Sequence, residues 1–592
     1  MKRHNFFIFK YLNLPIVVAA ILLTSCSDFL DIKDPKEIVL EDFWKEKADI
    51  DGMVAGCYTR LQSDDVIRRM MIWGEFRSEN VAPGIGVSDD GNLENVLKEN
   101  ITAMNGYTTW DGFYTVINRC NTVLKYAEQV AARDPEFTTS ELHATIAEVS
   151  ALRDLCYFYL IRTFRDVPYS TVAYTDDDQV MDLPATPFNA VLDSLIIDLE
   201  QVKDDAVEYY PVKKIGVIPT YQTGRITKNA IHAMLCEMYL WKQDYDKCIE
   251  YADSVINWKT NYADDIRKQG GGSSSSSAFG SSAIDNEGRL NGFPLVSNGS
   301  NNTYGSGYNS LFIQGVTTES IFELVFDATY AGTSGVAANS AVGALYGNAS
   351  VSGMVNPSKA ITDNAGIYEK TKKLDARMYE NASLTEGRIV KYVYQMVSIV
   401  AGNSSTPSAT VSGAFAYNPS SKVHYNGSNW IIYRLPDIML LKAEALCQKM
   451  QEGSTQEVID YNKPLLEKAF YLVNAINKRS LCQSPLIDTL KYKDYASKAK
   501  MEELVLKERQ RELMYEGKRW YDLVRRSLRD GNTNVLSQAA ASRDGVDGSY
   551  LGTFFSRMDA IFWPYNNEET KVNKNLVQNP AFSSGENESY TK

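Results

Sequence analysis

The chain is short of the side chains that carry most enzymatic chemistry. Only four histidines occur in 592 residues. No HExxH or GxSxG spacing is present to build a zinc protease or a hydrolase nucleophile. Cysteine is sparse too, at eight, and no CxxC pair occurs, which excludes a zinc knuckle and a dense disulfide framework. There is no Lys/Arg run, and 61 Lys+Arg against 74 Asp+Glu give a formal net charge of −13. That balance excludes nucleic acid as the main ligand. Beyond Leu23 no apolar stretch is long enough to cross a bilayer. Gly84-Ile85-Gly86 lacks the third glycine of a nucleotide fingerprint and reads as a loop. The acidic runs Asp89-Asp90-Gly91-Asn92 and Asp176-Asp177-Asp178 offer oxygen ligands that calcium favours, but without EF-hand spacing. They read as solvated loop acids, and no cofactor is expected.

Against these absences stand 36 Tyr, 22 Phe and 8 Trp in a chain that is 44% hydrophobic. The hydrophobic content supports a sizeable core. The aromatic surplus exceeds what that core needs and points to binding by ring faces.

The N-terminus reads as an export signal. Lys2, Arg3 and Lys10 form a positive region, and Leu14 to Leu23 is an apolar run too short to span a membrane. Leu23-Thr24-Ser25-Cys26 resembles a lipobox, so residues 1–25 are expected to be removed and Cys26 lipidated. The other cysteines lie mostly in helical, apolar contexts and read as buried thiols.

Helical periodicity then marks about 41–62, 110–132, 139–164, 187–207, 227–241, 244–257, 430–450, 457–479 and 500–526. The pair at 227–257 is joined only by Lys242-Gln243-Asp244, and such pairs must stack to bury their apolar faces. The expected fold is mainly α: a tetratricopeptide-like scaffold over 26–258, a Ser/Gly/Asn-rich insertion over 259–429, and a helical closing part over 430–592. Within the insertion, Ile321 to Phe326 alternates as a strand does.

The segment Lys507-Glu508-Arg509-Gln510-Arg511-Glu512-Leu513, continued by Tyr515-Glu516-Gly517-Lys518-Arg519-Trp520-Tyr521-Asp522-Leu523-Val524-Arg525, carries the densest charge pattern. It resembles the C-terminal signature of SusD/RagB-type outer-membrane nutrient-binding lipoproteins. Further blocks agree in order along the chain: Phe29-Leu30-Asp31, Ala151-Leu152-Arg153, Asp166-Val167-Pro168-Tyr169, Thr227-Lys228-Asn229-Ala230, Tyr433-Arg434-Leu435-Pro436-Asp437 and Trp563-Pro564. The resemblance implies a cell-surface lipoprotein without catalysis. It implies capture of oligosaccharide and its delivery to a TonB-dependent, SusC-like transporter in the outer membrane. Peptide capture, as in RagB-like proteins, and a surface glycoside hydrolase are the alternatives; a hydrolase would need only two of the many carboxylates.

The 507–525 segment itself reads as a fold element, with Glu508 to Arg511 and Glu512 to Arg509 within helical reach and Gly517 as a break. Ligand contacts are expected instead from aromatic and polar residues of loops. These are Trp73, Arg77 and Asn80 in an early loop, and Tyr304, Tyr308, Tyr330 and Tyr346 in the insertion.

Overall fold

The computed structural model describes residues 43–583 except 177, 212–216, 270–291, 298, 301–302, 327–338, 348–351, 363–366, 369–374, 384–386, 394–398, 401–409, 412–426, 482–489 and 544. The scaffold is mainly helical. Its N-terminal half contains α1 (Lys47–Leu61), α2 (Asp64–Glu75), α3 (Asp111–Ala131), α4 (Thr139–Phe164), α5 (Phe188–Val202), α6 (Lys228–Trp241) and α7 (Tyr245–Gln269). After the insertion come α8 (Leu435–Gln448), α9 (Gln456–Ser480), α10 (Lys498–Leu513) and α11 (Arg519–Asp530).

Local chemistry sets these boundaries. A capping box starts α4, with Thr138 accepting from Glu141 N–H and the Glu141 carboxylate accepting from Thr138 N–H. From Ala147 to Phe164 every residue of α4 is buried, so this part of the helix is covered all round. Thr227 caps α6 through Ala230 N–H, and the chain turns into α7 at Gln243 with φ 64°. The helices pack side by side, α1 on α3, α3 on α4, α4 on α5, α6 on α7, α7 on α8 and α8 on α9. One large core runs through the array, and a smaller one lies beneath α8, α9 and α10. Among the described residues no helix is long and apolar enough to cross a membrane.

One stretch departs from the helical expectation. Residues 430–434 form a strand before α8 begins, because Trp430–Arg434 pairs antiparallel with Ser320–Leu324 and both strands are buried throughout. The helical stretch over 500–526 is two helices, with the expected break at Gly517. Tyr515 at φ 65° and Gly517 at φ 69° turn the chain between α10 and α11. That turn packs so closely on α2 that a Cβ on Gly74 would lie 1.9 Å from the Gly517 carbonyl oxygen. The six described cysteines are free and buried, and Cys482 lies outside the described residues.

Candidate functional site

Five of the residues expected to face a ligand are core residues. Trp73 is fully buried on α2, where its Nε1 donates to the Tyr107 carbonyl at 2.8 Å and its ring stacks on Phe113 at 5.0 Å. Arg77 pairs with Glu99, donates to the carbonyls of Ala560 and Ile561, and lies 4.6 Å over the Trp520 ring. Asn80 donates to Glu75 and accepts from Gln510. The Tyr308 hydroxyl donates to the Val390 carbonyl and that of Tyr346 to the Tyr515 carbonyl, both rings being buried. Composition marks these stretches as loops, but α2 and the elements that cover it enclose Trp73, Arg77, Asn80 and Tyr346, while Tyr308 packs on Phe312 beneath the Val390 segment. Of Tyr304 only the backbone is described, paired with Ile399 and Gly299. Tyr330 and Cys26 lie outside the described residues.

The two regions those residues came from do meet. Val81–Pro83 pairs antiparallel with Val355–Pro357, and Gly84 N–H donates to the Met354 carbonyl at 2.8 Å. Ile85, 82% exposed, stands at the edge of this junction.

The charged signature is buried structure. Glu508 pairs with Arg511 as the spacing predicts, at 2.6 Å. Glu512 does not pair with Arg509. It binds Arg434 at 2.7 Å, Arg377 at 3.0 Å and Arg479, whereas Arg509 binds Asp437 and Asp522, both at 2.9 Å. The partners come from distant segments that helical spacing alone cannot reveal.

A cleft of about 900 Å³ lies between the N-terminal half of α3, the loop 168–183 and residues 569–576. Trp110, Tyr114, Tyr157 and Tyr174 line it. Its walls are preformed. Asn118 accepts from Tyr174 N–H at 2.7 Å and donates to the Tyr174 carbonyl at 2.9 Å. The Tyr157 hydroxyl donates to the Ser170 carbonyl, and Asn573 ties the opposite wall by donating to the Leu183 carbonyl. Asp111, whose side chain is 65% exposed, lies at the opening and pairs with Arg60 at 3.6 Å. Burial raises the Glu569 carboxyl above its usual range and the Asp111 charge adds to this, against a hydrogen bond from Trp110. Val172, Val180, Met181 and Val572 are exposed beside it.

Sequence reading missed this cleft. Trp110, Tyr114 and Asn118 fall four residues apart on one face of α3, a pattern that also describes an ordinary core stripe. His232, on α6, is held neutral, its pKa lowered to about 4 chiefly by burial. Asp90, from one of the acidic runs, caps the short helix Gly91–Leu97 and accepts from the Tyr107 hydroxyl.

Comparison with known proteins gives a consistent result. Residues 318–582 match the model described as the SusD family, and residues 28–240 match one described as starch-binding associating with outer membrane. SusD-like protein P38 of Formosa agariphila is 24% identical over 96% of this chain and 98% of its own length. A SusD-like protein of Bacteroides ovatus is also 24% identical, over 44% of each chain. Among solved structures, a SusD superfamily protein from Bacteroides thetaiotaomicron superposes with a TM-score of 0.59 at 21% identity, covering 91% of this chain and 99% of its own. A laminarin binding SusD-like protein gives 0.58 at 19% identity, covering 91% and 100%. With two such models bracketing the chain from residue 28 to residue 582 and the same helical fold along nine-tenths of its length, the chain is a member of the SusD-like family.

Proposed function

We propose that this chain is a glycan-capture lipoprotein of the outer membrane. It holds an oligosaccharide without cleaving it and passes it to a TonB-dependent, SusC-like transporter. The observation that carries this reading is the cleft, where tyrosine rings stand beside carboxylates in a preformed wall. Sugar rings need such a combination: apolar faces stack on aromatics, and hydroxyls donate to carboxylates. The starch-binding description of one matching family and the laminarin binding of one structural relative support glycan as the ligand class.

The test is a binding screen of the chain lacking residues 1–26 against glycans and peptides. Tyr174→Ala combined with Asp111→Asn should weaken glycan binding about 10- to 100-fold, one stacked ring and one hydrogen bond to a charged group each contributing on the order of 1 kcal/mol. Unchanged affinity would move the site away from the cleft. Competition by peptides but not glycans would change the ligand class.

A second reading has one observation in its favour. Glu569 with a raised pKa beside Asp111 is the kind of carboxylate pair a glycosidase uses. Chromatography of glycans after prolonged incubation decides it: shortened chains would make the protein a hydrolase.

A further inference from the structure

Beside the cleft lies a second cavity of about 390 Å³, whose lining includes Arg165, Asp166, Pro184, Tyr565, Asn575 and Val577. Its walls are held by local pairing. Val167–Pro168 pairs antiparallel with Ala185–Thr186, which brings the stretch around Pro184 against the end of α4. On the other side Gln578 accepts from Tyr565 N–H at 2.9 Å and donates to the Tyr565 carbonyl at 2.8 Å.

The two cavities share a wall. Asn573 donates to the Leu183 carbonyl and Asn575 to that of Asp182, so two short strips are tied together. Along these strips Asp182, Leu183, Asn573 and Leu576 line the cleft, whereas Pro184, Asn575 and Val577 line the second cavity. The Trp110 ring of the cleft and the Tyr565 ring of the second cavity lie 5.3 Å apart, centroid to centroid. One layer of side chains therefore separates the two spaces.

Arg165 holds a costly backbone conformation at this place. It sits at φ 72° and ψ −75°, and Asp166 N–H donates to the Phe164 carbonyl at 3.1 Å. This is the γ-turn of the rare, strained hand, which a residue with a Cβ adopts only against resistance. The turn leaves the guanidinium bonded to Asp166 at 3.0 Å and to Asp559 at 2.9 Å, with 41% of the side chain exposed. Ion pairs as exposed as these add little to stability. They do not account for an arginine where glycine would sit without strain.

The chemistry of the group suits a sugar. A guanidinium between two carboxylates sets N–H donors beside oxygen acceptors, and adjacent sugar hydroxyls both donate and accept. Phe562 and Tyr565 give the same cavity apolar lining for the ring.

We propose that Arg165, set by its strained turn between Asp166 and Asp559, is the hydroxyl-binding group of a second sugar subsite that continues the cleft across the Trp110–Tyr565 partition. This rests on the glycan reading above and extends the bound chain by the residue that fills the second cavity.

The experiment measures affinity for laminarin-type and amylose-type oligosaccharides, together with melting temperature, using the chain lacking residues 1–26. Arg165→Gly removes the guanidinium and relaxes the turn. It should weaken binding about 10- to 100-fold, the loss of a hydrogen bond to a charged group, while the melting temperature holds or rises. Arg165→Lys keeps the charge and the turn but loses the planar fork, and it should weaken binding at an unchanged melting temperature. Parental affinity in both variants overturns the subsite, and the cleft reading then stands if Tyr174→Ala with Asp111→Asn still weakens binding. A lowered melting temperature in Arg165→Gly with parental affinity in Arg165→Lys would make Arg165 a fold element and also overturns the subsite. Absence of glycan binding by the unmodified chain overturns both readings.

Discussion

Glu512→Gln tests whether the charged signature is a fold element. The Glu512 carboxylate accepts from Arg434, Arg377 and Arg479, and it is fully buried. The surrounding network pairs Arg377, Lys391, Arg434, Arg479 and Arg511 with Glu319, Asp375, Glu508, Glu512 and Glu516, five cations against five carboxylates. Glutamine keeps the shape but removes one negative charge and turns an amide N–H₂ toward guanidinium donors. Unbalancing a buried ion pair in this way costs about 3–5 kcal/mol. With an unfolding entropy near 2.1 cal/mol/K per residue, a chain of this length shifts in melting temperature by only about 0.8 °C per kcal/mol, so the expected drop is about 2–4 °C. Differential scanning calorimetry reads it. Glu503→Gln, on an exposed face of the same helix, should stay within about 0.5 kcal/mol of the parent. A Glu512→Gln protein that melts with the parent would refute the argument. So would a tenfold loss of glycan affinity at unchanged melting temperature, which would put α10 in the ligand site.

The same network predicts acid sensitivity. The carboxyls of Glu508, Glu512, Glu516 and Glu444 are held below their usual range by neighbouring cations although burial opposes this, and that of Asp437 is lowered to about 2. Carboxylates with depressed folded pKa values contribute stability that is fully present above about pH 4.5 and lost as pH falls through the folded values. Urea midpoints should therefore fall steeply from pH 5 to pH 3, and the deficit of Glu512→Gln should shrink over the same interval; a flat profile contradicts this. Glu75 has the opposite sign, because burial raises its carboxyl to about 7 and stability tied to it declines as pH rises toward that value. Arg77→Lys should cost about 2–4 kcal/mol, since a point charge cannot pair with Glu99 while donating to the carbonyls of Ala560 and Ile561. Limited proteolysis should then cut first near residues 556–583, and an unchanged digestion pattern argues against it. Cys26→Ala should release the protein from membranes, because two or three acyl chains give firm attachment where one is marginal. Retention in the membrane fraction of cells lacking the transporter would contradict lipidation at that residue.

The helical scaffold was legible from the sequence because its signals are local. The capping box at Thr138, the Asp166-Val167-Pro168 stop and the three-residue turn before α7 each act within a few residues of where they are read. The Ser320–Leu324 strand was legible for the same reason, through alternation. What failed was any inference that depended on the other side of a contact. Trp73 and Tyr346 looked like loop aromatics, yet Phe113 and Tyr515 supply their partners from far along the chain. Strand 430–434 looked helical because it leads directly into α8, and only Ser320–Leu324 makes it a strand. The cleft was invisible since its walls come from three separated segments.

The charged signature gains its meaning from those long-range contacts. Arg377 and Lys391 belong to the insertion, whereas Arg434 and Arg479 belong to the closing helical part, and all four converge on Glu508, Glu512 and Glu516. The α10–α11 corner is thus a clamp between scaffold and insertion. A hydrophobic contact of equal area would hold the two parts together equally well, and buried ion pairs are costly to desolvate. They add direction: each guanidinium must meet its carboxylate in one orientation, which fixes where the insertion sits on the scaffold. The buried network thus holds Arg377 and Lys391 against α8, α9 and α10, while the cleft is lined by other segments. It also explains why the most conspicuous motif in the chain lies in its interior while the cleft is lined by residues with no conspicuous spacing.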